Sequence, residues 1–221
     1  MVAQPNKSFH VLNIRDKIAE GSAGEDFLRR NFSTFACQIN PDVERFFLER
    51  SIDFTKRNQS VSYLVTSPPD EELLGYFTLA IKAISVNAVP FSNSRCDRGA
   101  TYRVFQLLAR IGKLAMRRKI ERVSEVNEQT GEYILAAYLI AQLGKNFKTS
   151  AKITGKDLLQ VAINTIRDLQ YMAGGTVIFL ETDDVPKLIA FYEANGFKQF
   201  AVRKSRGTQE QHKLVQLLKV M

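Results

Sequence analysis

Apolar runs that alternate with helical patterns occupy most of the chain, and they predict an α/β fold of the α+β type. The turn at residues 67–70 contains two prolines and predicts an antiparallel hairpin. Neither a flexible linker nor an internal repeat divides the chain, so we expect a single domain over residues 1–221. The predicted strands are Val11–Ile14, Val61–Thr66, Leu74–Val86, Tyr133–Ile140, Val177–Glu181, Phe197–Val202 and His212–Val220, and the predicted helices begin at Asn40-Pro41, Gly155 and Asp184-Val185-Pro186.

Local signals mark the ends of these helices. Asn40 is a good capping residue, and Pro41 suits the first helical position. The longest predicted helix ends at Gly174-Gly175, and Asp184-Val185-Pro186 is expected to cap the last helix, which runs to about Asn195. An aromatic stripe at helical spacing follows the first cap and predicts a buried helix face, formed by Val43, Phe46, Phe47 and Phe54.

A strongly basic segment, residues 90–132, interrupts the strands and predicts an amphipathic helical insertion. Nine Lys and Arg residues stand against two acidic residues between Arg95 and Arg122, so this part of the insertion has a net charge of +7, compared with +8 for the whole chain. Such a stripe can bind the phosphates of a nucleic acid, but a solvated helix face has the same pattern, and both interpretations stay open. The stripe consists of Arg103, Arg110, Lys113 and Arg117.

Several classes of protein do not fit this sequence. Cys37 and Cys96 cannot make a disulfide framework, and two histidines give no spacing typical of a zinc site. Residues 1–15 lack the pattern of a secretory signal, and the longest apolar run, Tyr133 to Ala141, is too short to span a bilayer. We therefore expect a reduced, cytoplasmic protein with no metal and no membrane partner.

The strand at Tyr133–Ile140 leads through a lysine-rich loop to the helix that starts at Gly155. The first backbone N–H groups of a helix have no partner within the helix, and the helix dipole favours negative charge at that end. Lys145, Lys148 and Lys152 surround the same loop, which favours a polyphosphate ligand. The other interpretation is that these lysines only solvate a surface loop.

Two stretches resemble the GNAT family of N-acetyltransferases. Residues 143–159 are similar to the family's acetyl-CoA signature, and Leu188–Phe197, with its Phe-Tyr and Gly-Phe pairs, is similar to its closing helix. The resemblance covers roughly Val61 to Val202. It implies a GNAT-like domain with a central mixed, mainly antiparallel sheet flanked by helices. It also implies an acyltransferase that moves an acetyl group from acetyl-CoA to a primary amine.

The resemblance assigns cofactor-binding roles to one loop and its surroundings. The backbone N–H groups of Leu143 and Lys145 would hold the pantetheine arm and polarise the thioester carbonyl. At two positions the chain departs from the family: Ile153 replaces a glycine, and Asp184 stands where members often carry Asn. The remaining residues expected near the phosphates are Lys148, Ser150, Ala151, Lys152, Thr154, Gly155 and Lys156.

Two residues are candidates for proton transfer. Tyr192 matches the tyrosine that the family commonly uses as a general acid toward the leaving sulfur, although a tyrosine in such a helix can also simply pack on the sheet. Glu181 ends a buried strand and could act as a general base toward the amine. It could equally cap a helix or form a salt bridge, and many family members need no dedicated base.

The amine acceptor stays open. Residues 42–50, 63–65 and 74–79 are similar to the branch that includes toxin-like acetyltransferases acting on aminoacyl-tRNA, and a protein or a small molecule is the other acceptor class. The expected partners are acetyl-CoA, the amine, tRNA or another nucleic acid on the basic helix, and, left open, a second copy of the chain. The alternative function is a non-catalytic RNA- or protein-binding module on a degenerate GNAT fold.

Overall fold

The computed structural model describes residues 9–68, 71–87, 124–127, 132–149, 153–204 and 213–221. These residues belong to two compact units. The N-terminal unit is Met1–Ala80 with Ile140–Arg167, and the C-terminal unit is Ile81–Leu139 with Asp168–Met221. The single domain over residues 1–221 stays a prediction. The basic helical insertion also stays a prediction, because the segment predicted as its helix and its charged stripe lies outside the described residues.

The sheet is mixed and mostly antiparallel, which confirms the predicted α+β fold. The strands are hydrogen-bonded in the order β1-β2-β3-β5-β6-β8-β7, and β4 pairs with β5. Adjacent strands are antiparallel in the pairs β1 with β2, β2 with β3, β4 with β5, β6 with β8, and β7 with β8. The strands are β1 (His10–Asn13), β2 (Val61–Ser67), β3 (Glu72–Asn87), β4 (Ser124–Asn127), β5 (Glu132–Lys145), β6 (Val177–Asp183), β7 (Lys198–Lys204) and β8 (Lys213–Val220).

The helices that accompany these strands differ widely in length. No helix in the described part of the chain is long and apolar enough to cross a membrane. Asn40 caps α3 as predicted, because its Oδ1 accepts hydrogen bonds from the backbone N–H groups of Asp42 and Val43. The helices are α1 (Ile14–Ala19), α2 (Ser22–Phe32), α3 (Pro41–Arg45), α4 (Ser51–Lys56), α5 (Gly155–Ala173) and α6 (Pro186–Ala194), and a π-helical turn (Phe46–Arg50) joins α3 to α4.

Three elements differ from the sequence prediction. The helices α1 and α2 were not predicted, and Ile14 begins α1 instead of ending the first strand. α2 begins at Gly21, which offers no side-chain cap, and only a few of its positions are apolar. β4 lies within the segment predicted as a helical insertion, and it is held by antiparallel pairing with β5, which no local pattern indicates.

Aromatic side chains form the core of the N-terminal unit. The Phe47 ring stacks on the Tyr76 ring with 4.1 Å between centroids, and Phe32 and Phe35 also contact Phe47. The Tyr76 hydroxyl donates a hydrogen bond of 2.6 Å to the carbonyl oxygen of Val43. α3 is therefore fixed to β3 both by ring packing and by a buried polar contact.

Two glycines end α5 in the C-terminal unit, as predicted. Gly174 and Gly175 have φ angles of 76° and 94°, which glycine adopts without strain. A Cβ atom on Gly175 would lie 2.8 Å from the Tyr138 ring, and the Tyr138 hydroxyl donates to the carbonyl oxygen of Gly174 at 2.6 Å. A side chain at Gly175 would therefore clash with β5 as well as strain the backbone.

Candidate functional site

The loop between β5 and α5, residues 146–154, begins with a buried asparagine. Asn146 is 2% exposed, and its Oδ1 accepts hydrogen bonds from the backbone N–H groups of Ala36 at 3.1 Å and Lys148 at 3.0 Å. Its Nδ2 donates to the carbonyl oxygens of Thr34 at 3.1 Å and Leu73 at 2.8 Å. The amide of Asn146 therefore makes two accepted and two donated hydrogen bonds, which fix the first residue of the β5–α5 loop.

The N-terminus of α5 closes with a reciprocal pair of hydrogen bonds. The backbone N–H of Thr154 donates to Oδ2 of Asp157 at 3.0 Å, and the backbone N–H of Asp157 donates to Oγ1 of Thr154 at 3.1 Å. Within the described part of the chain, no acceptor bonds the backbone N–H groups of Gly155 and Lys156. Two N–H donors are therefore available to an anion. The Asp157 carboxylate at the same helix end reduces the attraction of the helix dipole for that anion.

Lys148 and Lys156 are exposed and Lys145 is half-buried, whereas Ile153 is buried. Ile153 is 1% exposed and belongs to the core, so only its backbone can reach a ligand. The Lys148 ammonium lies 3.4 Å from the carbonyl oxygen of Ser33, and the Lys145 ammonium lies 5.5 Å from the centroid of the exposed Phe147 ring. Among the other predicted residues, Leu143 lies near the end of β5, and Ser150, Ala151 and Lys152 lie outside the described residues.

Tyr192 lies on α6 in the C-terminal unit. Its ring makes edge contacts with the rings of Phe191 and Phe197, at centroid distances of 5.1 and 5.9 Å. Burial raises the pKa of Tyr192 to about 12, so the phenol keeps its proton throughout the neutral range. A protonated phenol can donate a proton, but a pKa this high leaves less driving force than an ordinary tyrosine has.

Glu181 lies on β6 and is surrounded by donors. Its carboxylate accepts hydrogen bonds from both Arg203 Nε and Arg203 Nη2 and from Gln216 Nε2, the last at 2.7 Å, while the Lys82 ammonium lies at 3.6 Å. Burial alone raises the pKa of Glu181, but the hydrogen bonds from Arg203 and Gln216 lower it below its ordinary value. A carboxylate held in this way is a weak base, so the geometry favours the salt-bridged alternative.

Replacing Glu181 with glutamine is expected to lower the free energy of unfolding by about 1–3 kcal/mol at pH 7, because Arg203 and Lys82 lose their negatively charged partner and only one acceptor oxygen remains. A lowered pKa in the folded chain means that the stabilisation is complete above pH 4.5 and disappears as the pH falls through the folded value. Urea denaturation between pH 7 and pH 3 measures this difference. Glu193→Gln on the exposed face of α6 is the control, and an equal effect of both variants would contradict the ion-pair assignment.

Asp184 is exposed and lies just before α6. The residue that caps α6 is Val185, which makes no side-chain hydrogen bond to the first turn, and Pro186 occupies the first helical position. The expectation that Asp184, Val185 and Pro186 together cap the helix is therefore wrong for the Asp184 side chain. Its carboxylate lies at the start of α6 without the capping hydrogen bond.

Three residues of these clusters were not predicted. Asn146, Arg203 and Gln216 act through partners that are distant in the sequence, and no spacing motif marks them. The predicted strands include Gln216 and end one residue before Arg203, and they do not show that both side chains face Glu181. Only the pairing of β6 with β8 and of β8 with β7 brings these three side chains together.

The fold is similar to that of solved structures of bacterial toxins. A tyrosine-to-phenylalanine variant of the toxin AtaT matches with a TM-score of 0.58 and 14% identity, covering 99% of this chain and 94% of that one. AtaT complexed with acetyl-methionyl-tRNAfMet matches with a TM-score of 0.55 and 14% identity over 94% of both chains. AtaTR bound with acetyl-CoA matches with a TM-score of 0.54 and 14% identity, covering 94% and 92%. No protein-family model and no curated protein sequence matches the chain.

Proposed function

We propose that this chain is an acetyl-CoA-dependent N-acetyltransferase of the GNAT type, which moves an acetyl group to a primary amine. The observation that carries the proposal is the start of α5, where the backbone N–H groups of Gly155 and Lys156 have no acceptor among the described residues. This helix start directly follows a lysine-bearing loop at the end of a sheet strand. The similar structures of AtaT complexed with acetyl-methionyl-tRNAfMet and of AtaTR bound with acetyl-CoA support the same activity.

The residues at the start of α5 fit the phosphates of coenzyme A. The two N–H groups would donate to phosphate oxygens, and the ammonium groups of Lys148 and Lys156 would balance the charge. The buried side chain of Ile153 does not occupy the ligand's side of the loop, because it packs into the core. When bound, acetyl-CoA supplies the acetyl group as a thioester. Leu143, Lys145, Ser150, Ala151, Lys152 and Thr154 complete the proposed binding residues.

Tyr192 is the proposed general acid. It holds a proton at its Oη atom at neutral pH, because burial raises the pKa of Tyr192 to about 12. Its proposed task is to give that proton to a departing thiolate, so that the sulfur leaves as a thiol. Glu181 is ion-paired with Arg203 and therefore does not serve as the general base. The neutral fraction of the amine serves as the nucleophile. Bulk water takes the proton that the amine loses on acetylation and returns a proton to the Tyr192 phenolate.

The proposed acceptor is the amine of an aminoacyl-tRNA, with a protein or small-molecule amine as the other class. Support comes from the matched complex of AtaT with acetyl-methionyl-tRNAfMet. The basic stripe from Arg103 to Arg117 is the proposed contact to the phosphate backbone. Each phosphate that it neutralises would make binding more sensitive to salt.

A second candidate function is a non-catalytic RNA- or protein-binding module. The observation that favours it is the Asp157 carboxylate at the start of α5, which already accepts a hydrogen bond from Thr154. A carboxylate at a helix N-terminus reduces the attraction for a phosphate. The two functions differ in one property that is simple to measure, the affinity for acetyl-CoA.

Calorimetry with acetyl-CoA is expected to show binding to the wild-type chain. Lys148→Ala combined with Lys156→Ala should weaken it about tenfold, because charge-assisted contacts to phosphate are lost. Lys198→Ala combined with Lys204→Ala removes the same charge from β7 and should leave the affinity nearly unchanged. A wild-type chain that releases no heat at high micromolar acetyl-CoA would contradict the proposed enzyme and favour the binding module.

A further inference from the structure

We propose that Asn146 is a positioning residue that makes the β5–α5 loop and the α2–α3 loop, residues 33–40, respond together to acetyl-CoA. This inference rests on the proposed function, since it concerns the same loop. It assigns to Asn146 a role that is separate from binding, because its side chain is buried and its hydrogen-bonding groups are all used within the protein. Every step below lies within the N-terminal unit.

Asn146 uses both ends of its amide to join three segments. The oxygen accepts from Ala36 in the α2–α3 loop and from Lys148 in its own loop, and the nitrogen donates to Thr34 and to Leu73 at the start of β3. An amide side chain can accept and donate at once, whereas a carboxylate can only accept. Asparagine is therefore the residue whose chemistry and length satisfy this junction.

The two residues after Asn146 continue the contact. The backbone N–H of Phe147 donates to the carbonyl oxygen of Ala36 at 2.9 Å, and the ammonium of Lys148 lies 3.4 Å from the carbonyl oxygen of Ser33. Lys148 is a proposed phosphate ligand, and its backbone N–H is one of the groups that Asn146 holds. Binding that orders Lys148 therefore restrains the α2–α3 loop as well.

The middle of the α2–α3 loop is also held, through Cys37. The backbone N–H of Cys37 donates to Oε2 of Glu44 at 2.6 Å. A Cβ atom on Gly144, two residues before Asn146, would lie 2.6 Å from the Tyr76 ring and 2.7 Å from Val43. This close packing fixes the end of β5 against β3 and against α3, the helix that directly follows the α2–α3 loop.

Hydrogen exchange measured by mass spectrometry tests the inference on the whole chain. In the wild type, saturating acetyl-CoA is expected to slow amide exchange both at residues 147–148 and at residues 34–37. Without ligand, Asn146→Ala should speed exchange in both segments roughly tenfold, because buried groups lose their partners. Asn146→Asp keeps the two accepted hydrogen bonds and loses the two donated ones. Without ligand, its exchange rates should therefore lie between those of the wild type and of Asn146→Ala. Acetyl-CoA should also slow exchange at residues 34–37 less than it does in the wild type.

Asn164→Ala and Asn164→Asp on the exposed face of α5 are the matched controls and should leave both segments unchanged. Acetyl-CoA that binds and protects residues 147–148 but not residues 34–37 would overturn the inference while the proposed function stands. Exchange at residues 34–37 that is the same in Asn146→Asp and in the wild type would also overturn it. A wild type that does not bind acetyl-CoA in calorimetry contradicts the proposed function and with it this role of Asn146.

Discussion

Replacing Tyr192 with phenylalanine is expected to lower the rate of acetyl transfer by about 10²–10⁴-fold, the usual contribution of a general acid. Phenylalanine keeps the ring contacts to Phe191 and Phe197 and removes only the hydroxyl. The affinity for acetyl-CoA should therefore stay nearly the same. The measurement is transfer of labelled acetyl from acetyl-CoA to an aminoacyl-tRNA pool, together with calorimetry on the same preparations.

Tyr171→Phe is the matched control for this experiment. Tyr171 is 93% exposed on α5, so removal of its hydroxyl should change neither the rate nor the affinity. A Tyr192→Phe variant that transfers acetyl as fast as the wild type would remove Tyr192 from the mechanism. A variant that loses affinity along with rate would indicate a binding role instead of proton transfer.

Replacing Phe47 with alanine is expected to lower the free energy of unfolding by about 3–5 kcal/mol, the cost typical of truncating a fully buried aromatic ring. Phe47 is completely buried and contacts the rings of Phe32, Phe35 and Tyr76. Its loss leaves a cavity at the centre of the N-terminal unit. Urea denaturation followed by circular dichroism measures the difference.

Leu48→Ala tests the neighbouring position in the same π-helical turn. Leu48 is 38% exposed, and its truncation should cost about 1 kcal/mol or less. Similar losses for Phe47→Ala and Leu48→Ala would mean that the aromatic cluster does not stabilise this unit more than its surface does. The comparison also separates the effect of packing from any effect on the π-helical turn, which both variants share.

The parts of the fold that depend on local signals were predictable. The capping residue Asn40, the proline after it and the glycines that end α5 act on neighbouring residues, and a linear pattern contains that information. The helix α2 lacks such a signal, because it has no side-chain cap. The helix α1 does have one, since Asn13 Oδ1 accepts a hydrogen bond from the backbone N–H of Arg15, but Asn13 lies within the segment predicted as a strand. β4 is a strand of four residues that depends on its pairing with β5.

The surroundings of the candidate residues were not predictable, because their partners are distant in the chain. Asn146 bonds groups that are 73, 110 and 112 positions away, and the partners of Glu181 lie 22 and 35 positions away. From the sequence, Glu181 could be a base, a cap or a salt-bridged residue. The ion pair with Arg203 shows that Glu181 is the salt-bridged residue, and only strand pairing brings Arg203 to Glu181.

The bonds of Asn146 also determine when the β5–α5 loop can take its final form. Thr34 and Ala36 are synthesised long before Asn146, and they lack these partners until the chain has grown past β5. Closing a loop of more than a hundred residues has a large entropic cost, so contacts of this kind form late in folding. The β5–α5 loop is therefore fixed at Asn146 only after α2, β3 and the end of β5 have come together.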